Sequence, residues 1–186
     1  MTKSHSETGP EKAAALPHAT RYYDDVSVGD ELPPEEVGPL TTSEVVRFSC
    51  SVETFFPLHH DADWARARGW PAILVAGPFR HAILTGLVTT WAGPEAFVRE
   101  TDISNRGSDF PGGTLRLTGT VSRTWIEEGL GHVEVETELH NDTGQRSCYG
   151  RVVVVLPRRG HGHVLKIFEA PEELYSWAFD DDADVA

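Results

Sequence analysis

The sequence predicts an α+β domain in which an antiparallel β-sheet wraps around one long central α-helix. Two patterns predict it. Phe79, Ile83, Leu84, Leu87, Val88 and Trp91 recur at helical spacing, as a wide apolar stripe that a helix buries against a sheet. Downstream, Leu115, Leu117 and Val121 alternate with polar residues, as do Val133, Val135, Thr137 and Leu139, which is the period-two signature of half-buried strands. Val152–Leu156 is continuously apolar and reads as a strand buried on both faces.

The elements follow in order. Pro33-Pro34 and Gly38-Pro39 punctuate what reads as a connecting loop. Thr41 and Glu44 satisfy the capping-box spacing, and Val45, Phe48 and Val52 continue at helical spacing, so a short helix is expected over 42–53. Asp61 or Asp63 can cap a second short helix that runs to Arg68 and stops at Gly69. Gly77 suits the cap of the long helix and Pro78 its first position, where the missing N–H costs nothing. Gly93-Pro94 ends that helix. Phe97–Arg106 is a weaker strand candidate, Pro111-Gly112-Gly113 a turn, and Asn141-Asp142-Thr143-Gly144 a hairpin turn. Beyond Pro157 an edge strand at His163–Phe168, a short helix at Pro171–Phe179 and a disordered acidic end are expected.

Composition excludes several classes. A chain of 186 residues suits one domain with extensions, here an N-terminal arm over 1–20, a domain over 21–157 and a C-terminal extension over 158–186. A net charge of −13 argues against a nucleic-acid partner, which needs a basic face. No apolar run approaches the ~20 residues of a membrane span, and the first residues lack signal-peptide order, so a cytoplasmic protein is expected. Cys50 and Cys148 are too few for a disulfide framework and read as buried small hydrophobes. Neither they nor the pair His161 and His163 makes a metal site, and no metal or cofactor is expected.

Four segments in order, RYYDDVSVGDEL, PLHHD, AGPFRHAILTGLV and FPGGTLRLTGTV, resemble the MaoC-like dehydratase family, which includes (R)-specific enoyl-CoA hydratases. The resemblance covers about Arg21 to Pro157. It implies a single hotdog domain, dimerisation through the sheets, and an acyl-thioester site near the subunit interface, with coenzyme A or carrier-protein phosphopantetheine entering as part of the substrate. HHD followed by TTWAGP is also similar to the small subunit of heteromeric actinobacterial enoyl-CoA hydratases acting on steroid side chains, which implies a second hotdog subunit as an alternative to a homodimer.

The family's acid/base motif has the form D-x-N-P-x-H. Pro57 and His59 match it, whereas Thr54 stands at the Asp position and Phe56 at the Asn position. The resemblance implies that His59 exchanges a proton with water and that the backbone N–H of Gly77 faces the thioester oxygen. Adding water to an enoyl thioester develops negative charge on that oxygen, which a helix N-terminus stabilises. An imidazole changes charge near neutral pH and suits the proton transfer. A threonine hydroxyl can orient a water but cannot take its proton as a carboxylate does. Three readings of Thr54 stay open. His59 acts with Thr54 holding the water; Glu53 substitutes; or the site has turned to binding or to another thioester or polyketide reaction. Phe55, Phe56 and Pro78 are the candidate substrate-binding residues, with core packing the competing reading for the two phenylalanines. His60 competes with His59, while His81 reads as a helix-face residue and His132 and His140 as solvent-side strand positions. Arg158, Arg159 and Lys166 are candidate basic groups for a coenzyme A phosphate.

Overall fold

A computed structural model describes residues 20–161 and Val164. Its elements are β1 (Glu35–Val37), α1 (Thr42–Ser51), α2 (Ala62–Arg66), α3 (Gly77–Ala92), β2 (Phe97–Asn105), β3 (Leu115–Glu127), β4 (Leu130–Asn141) and β5 (Arg146–Leu156), with single 3-10 turns at Tyr23–Asp25 and Pro57–His59. The five strands form one antiparallel sheet in the order β1-β3-β4-β5-β2. The arrangement expected from the sequence, a sheet around one long helix, is present.

Why the sheet curves around α3 is visible in its burial. Leu115, Leu117 and Val121 of β3, Val133, Val135 and Leu139 of β4, and Val152, Val154 and Leu156 of β5 are all buried on the face that meets Leu84, Leu87 and Val88 of α3. The β3–β4 pairing slips by one residue between Val121 and Arg123, a bulge that raises local twist and bends the long strands. Leu84 is fully buried in this core, and truncating such a side chain typically costs about 2–5 kcal/mol.

The local signals place α1 and α2. Thr41 accepts from the Glu44 N–H at 3.1 Å while Glu44 accepts from the Thr41 N–H at 2.7 Å, so the capping box is complete. Asp61, not Asp63, caps α2 through the Trp64 N–H at 2.9 Å. That helix stops at Arg66, two residues short of expectation, because Ala67 to Gly69 close in turn-type bonds.

Other expectations are corrected. The Pro33–Pro39 loop contains the short edge strand β1, which pairs only with β3 and tolerates prolines beside it because one side of an edge needs no ladder. The long helix begins one residue earlier than expected, with Ala76 as its cap and Gly77 as its first residue. Cys148 is buried but Cys50 is exposed, since α1 turns that side away from the core. His132 is not on the solvent side: it is 5 % exposed and stacks on Trp125 with ring centroids 5.0 Å apart. The strand at His163–Phe168, the helix at Pro171–Phe179 and the acidic end lie outside the described residues, apart from Val164. Among the described residues no helix is long and apolar enough to cross a membrane.

Candidate active site

The exit of α1 sets the first part of the site. Val52 caps the helix, Glu53 takes a left-handed conformation at φ 55°, and the Thr54 N–H reaches back to the Ser49 carbonyl at 2.8 Å. With the Glu53 N–H on the Cys50 carbonyl at 3.2 Å, this is a Schellman turn carrying a glutamate where glycine is usual. The chain reverses there, so Thr54, Phe55 and Phe56 lead directly into the Pro57–His59 turn. Glu53 is exposed on the outside of the reversal. Thr54 is half-buried, and its hydroxyl has no hydrogen-bond partner among the described residues.

His59 is fixed by the backbone. Leu58 is buried as an anchor, and its carbonyl accepts from the Leu74 N–H at 2.9 Å. The His59 Nδ1 lies 2.8 Å from the Leu74 carbonyl. A carbonyl can only accept, so Nδ1 carries the proton and Nε2 of the neutral ring keeps a free lone pair. The ring of Phe56 stands edge-on to that imidazole, with centroids 6.3 Å apart, and contacts Trp64 at 5.2 Å. His60 instead points outward, and its Nε2 bonds the Phe55 carbonyl at 3.1 Å. The two histidines are thus separated: one half-buried against the segment that leads to α3, the other closing an exposed turn.

That segment delivers Gly77. Ala76 offers no side-chain cap to α3, and Pro78 at the second position has no N–H to offer. The Phe79 N–H turns back to the Ala76 carbonyl at 3.1 Å, while the Gly77 N–H is taken by no capping side chain. A Cβ at Gly77 would stand 2.8 Å from the Asn105 amide nitrogen, so any other residue there would push that side chain aside.

Phe55 and Phe56 are 62 % and 54 % exposed, which overturns the core-packing reading for this chain on its own. Pro78 is exposed on the same helix end as Gly77. An apolar groove of about 800 Å³ lies along α1, lined by Val46, Phe48 and Phe79 among others but by none of His59, Gly77 and Pro78, with the Phe48 and Phe79 rings stacked 4.7 Å apart. A second groove, about 500 Å³, crosses the outer face of the sheet and contains neither His59 nor Gly77. Its lining sets Arg146 and Arg151 against Asp102, Glu136 and Glu138, with Arg146 paired to Glu138 and Arg151 to Asp102, so it is a net acidic surface. The candidate basic groups are also engaged elsewhere: Arg158 donates to the Gly129 carbonyl and Arg159 pairs with Asp25, while Lys166 lies outside the described residues.

Sequence reasoning missed a polar brace behind Gly77. Arg80 is 4 % exposed, donates to the Gly107 carbonyl at 2.6 Å and pairs with the buried Asp109 at 3.3 Å. Asp109 also accepts from Ser147 at 2.7 Å and Asn141 at 3.2 Å, and its carbonyl holds the Val75 N–H at 2.9 Å. The signal was present, because Arg80 lies one turn before Leu84 on the apolar stripe. Asn105 and His81 were missed too: Asn105 sits at the exposed end of β2, and its Nδ2 bonds the His81 Nε2 at 2.9 Å.

No protein-family model matches the chain, and no curated protein matches it. Among solved structures it is similar to the (R)-hydratase from A. caviae involved in PHA biosynthesis, with a TM-score of 0.65 and 22% identity over 72% of this chain and 98% of that one. It is similar to the ChsH1-ChsH2 complex from Mycobacterium tuberculosis, at TM-score 0.63 and 23% identity over 70% and 98% of the two chains. A MaoC-like dehydratase from Rhodospirillum rubrum gives 0.65 and 20% over 75% and 98%. At these identities the likeness is one of fold. The chain has the single hotdog domain of the MaoC-like dehydratases and (R)-hydratases, as its four sequence segments implied.

Proposed function

We propose that this chain is a hydro-lyase that adds water to an enoyl thioester, or removes it from the 3-hydroxyacyl form, with the acyl group carried on coenzyme A or on a carrier protein. The observation that carries the reading is the bond from His59 Nδ1 to the Leu74 carbonyl, which leaves Nε2 as a base beside the segment leading to Gly77. In the hydration direction Nε2 takes a proton from water as its oxygen bonds the β-carbon. The electron pair of the double bond moves toward the thioester oxygen, where the Gly77 N–H stabilises it, and the imidazolium returns the proton to the α-carbon. Thr54 orients the water. The exposed Phe55 and Phe56, with Pro78, favour an apolar acyl group.

Purified protein incubated with enoyl-CoAs of graded chain length, followed by loss of the conjugated enoyl absorbance, tests the proposal. Turnover of at least one member supports it; no turnover of any, with or without a candidate partner subunit, overturns it.

A second reading draws on the resemblance, which puts Thr54 at the family's carboxylate position, and on the exposed aromatic pair that precedes His59. In that reading the chain completes a heteromeric hydratase, a mode of assembly that the name of the ChsH1-ChsH2 complex records for that pair. Native mass measurement separates the two, since an active homodimer excludes the second.

A further inference from the structure

Asn105 is the residue that stands closest to the side-chain direction of Gly77, and it is exposed at the end of β2 rather than buried in the sheet. Its amide is held in one orientation by two different partners. Cys148 is fully buried, and burial pushes its thiol pKa up, so it stays protonated and donates to the Asn105 Oδ1 at 3.4 Å. That assigns oxygen to one side of the amide and nitrogen to the other. On the nitrogen side the His81 Nε2 lies 2.9 Å away. Burial, with the Arg80 charge adding to it, lowers the His81 pKa, which keeps the ring neutral and able to accept.

An amide nitrogen has two N–H groups. One is used on His81, and the other has no partner among the described residues. His81 follows Gly77 by one helical turn, so both lie on the same face of α3, the face that Asn105 meets. The helix end therefore carries two kinds of donor side by side, the backbone N–H of Gly77 and a side-chain N–H prepared by a neighbouring histidine.

We propose that Asn105 is a second hydrogen-bond donor to the thioester carbonyl oxygen, with His81 as the residue that positions it. This rests on the reading of the chain as an enoyl-thioester hydro-lyase. It also accounts for a glycine at position 77, since any Cβ would displace the donor. Charge develops on the carbonyl oxygen in the transition state, so loss of such a donor is felt chiefly in kcat.

The test is steady-state kinetics on whichever enoyl-CoA the wild type turns over, for Asn105→Ala, His81→Phe and His81→Gln. Asn105→Ala is expected to lower kcat about 100-fold with KM changed less than about threefold. His81→Phe, which removes the acceptor, is expected to lower kcat about tenfold, and His81→Gln, which restores one, to recover most of it. Folding is checked by the thermal midpoint of each variant. Should Asn105→Ala unfold, Asn105→Asp, which keeps the shape but presents an acceptor, gives the same reading: a kcat loss supports the donor and an unchanged kcat overturns it. Wild-type turnover with an unaffected Asn105→Ala overturns this proposal and leaves the hydro-lyase reading standing. A wild type that neither turns over nor binds any enoyl-CoA overturns both. Equal losses in His81→Phe and His81→Gln overturn the positioning role.

Discussion

Nδ1 of His59 donates to the carbonyl of Leu74 at 2.8 Å. The acceptor is main chain, so the hydrogen bond that orients the imidazole depends on how residues 58 and 74 pair. Hydratases of the resembled family orient the reacting water with a second group, an aspartate. The resemblance puts Thr54 at that position, on the turn that the left-handed Glu53 creates.

Thr54→Asp should therefore raise turnover of simple enoyl-CoAs steeply, since an acid/base carboxylate contributes roughly 10²–10⁴ in rate. The measurement is kcat/KM for the variant and the wild type on the same substrate. An unchanged value would mean that water is not placed beside residue 54.

The brace behind Gly77 makes a stability prediction. Arg80→Met leaves Asp109 buried with its charge uncompensated, and breaking a buried pair from one side costs about 3–5 kcal/mol. Urea midpoints of Arg80→Met, Asp109→Asn and the double variant measure it. The double variant should be less destabilised than the sum of the singles, because removing both charges leaves neither stranded. Additive losses would show that the two side chains do not act as a pair.

His81 makes a prediction about pH. Its folded pKa lies below the ordinary 6.5, first because burial disfavours the cation and second because Arg80 repels it. Below 6.5 the unfolded chain takes up this proton before the folded chain does, so stability falls as pH falls through that window. Above it the contribution is complete. Glu44, whose carboxyl its bonds to Thr41 hold below the usual value of 4.5, loses its contribution only at lower pH, so the two are separable. Urea midpoints at pH 7.5 and about 5.5 should differ more for the wild type than for His81→Gln. Identical differences would place the ring's titration elsewhere.

The sequence disclosed those features in which each residue reports on its own environment. The α3 stripe, the alternation in β3 and β4, and the Thr41–Glu44 box were legible because period and capping are local. Strand β1 was not, because three residues between proline-rich turns carry no period and are ordered by pairing with β3. The same distinction runs through the site. Pro57, His59 and Gly77 were legible as a motif, but the Leu74 carbonyl that sets the tautomer of His59 has no sequence signature. Asn105 lies 28 positions from Gly77 by number, and only the docking of β2 beside α3 makes them neighbours. His132 read as solvent-facing from its alternation, yet Trp125 across the β3–β4 ladder covers it.

The central claim is that Nε2 of His59 moves the proton between water and an enoyl thioester. Its most direct test is the turnover of one enoyl-CoA by wild type and His59→Ala under identical conditions, with thermal midpoints compared. The account predicts a loss in kcat of about 10²–10⁴ with the fold intact. Full activity in His59→Ala would contradict it.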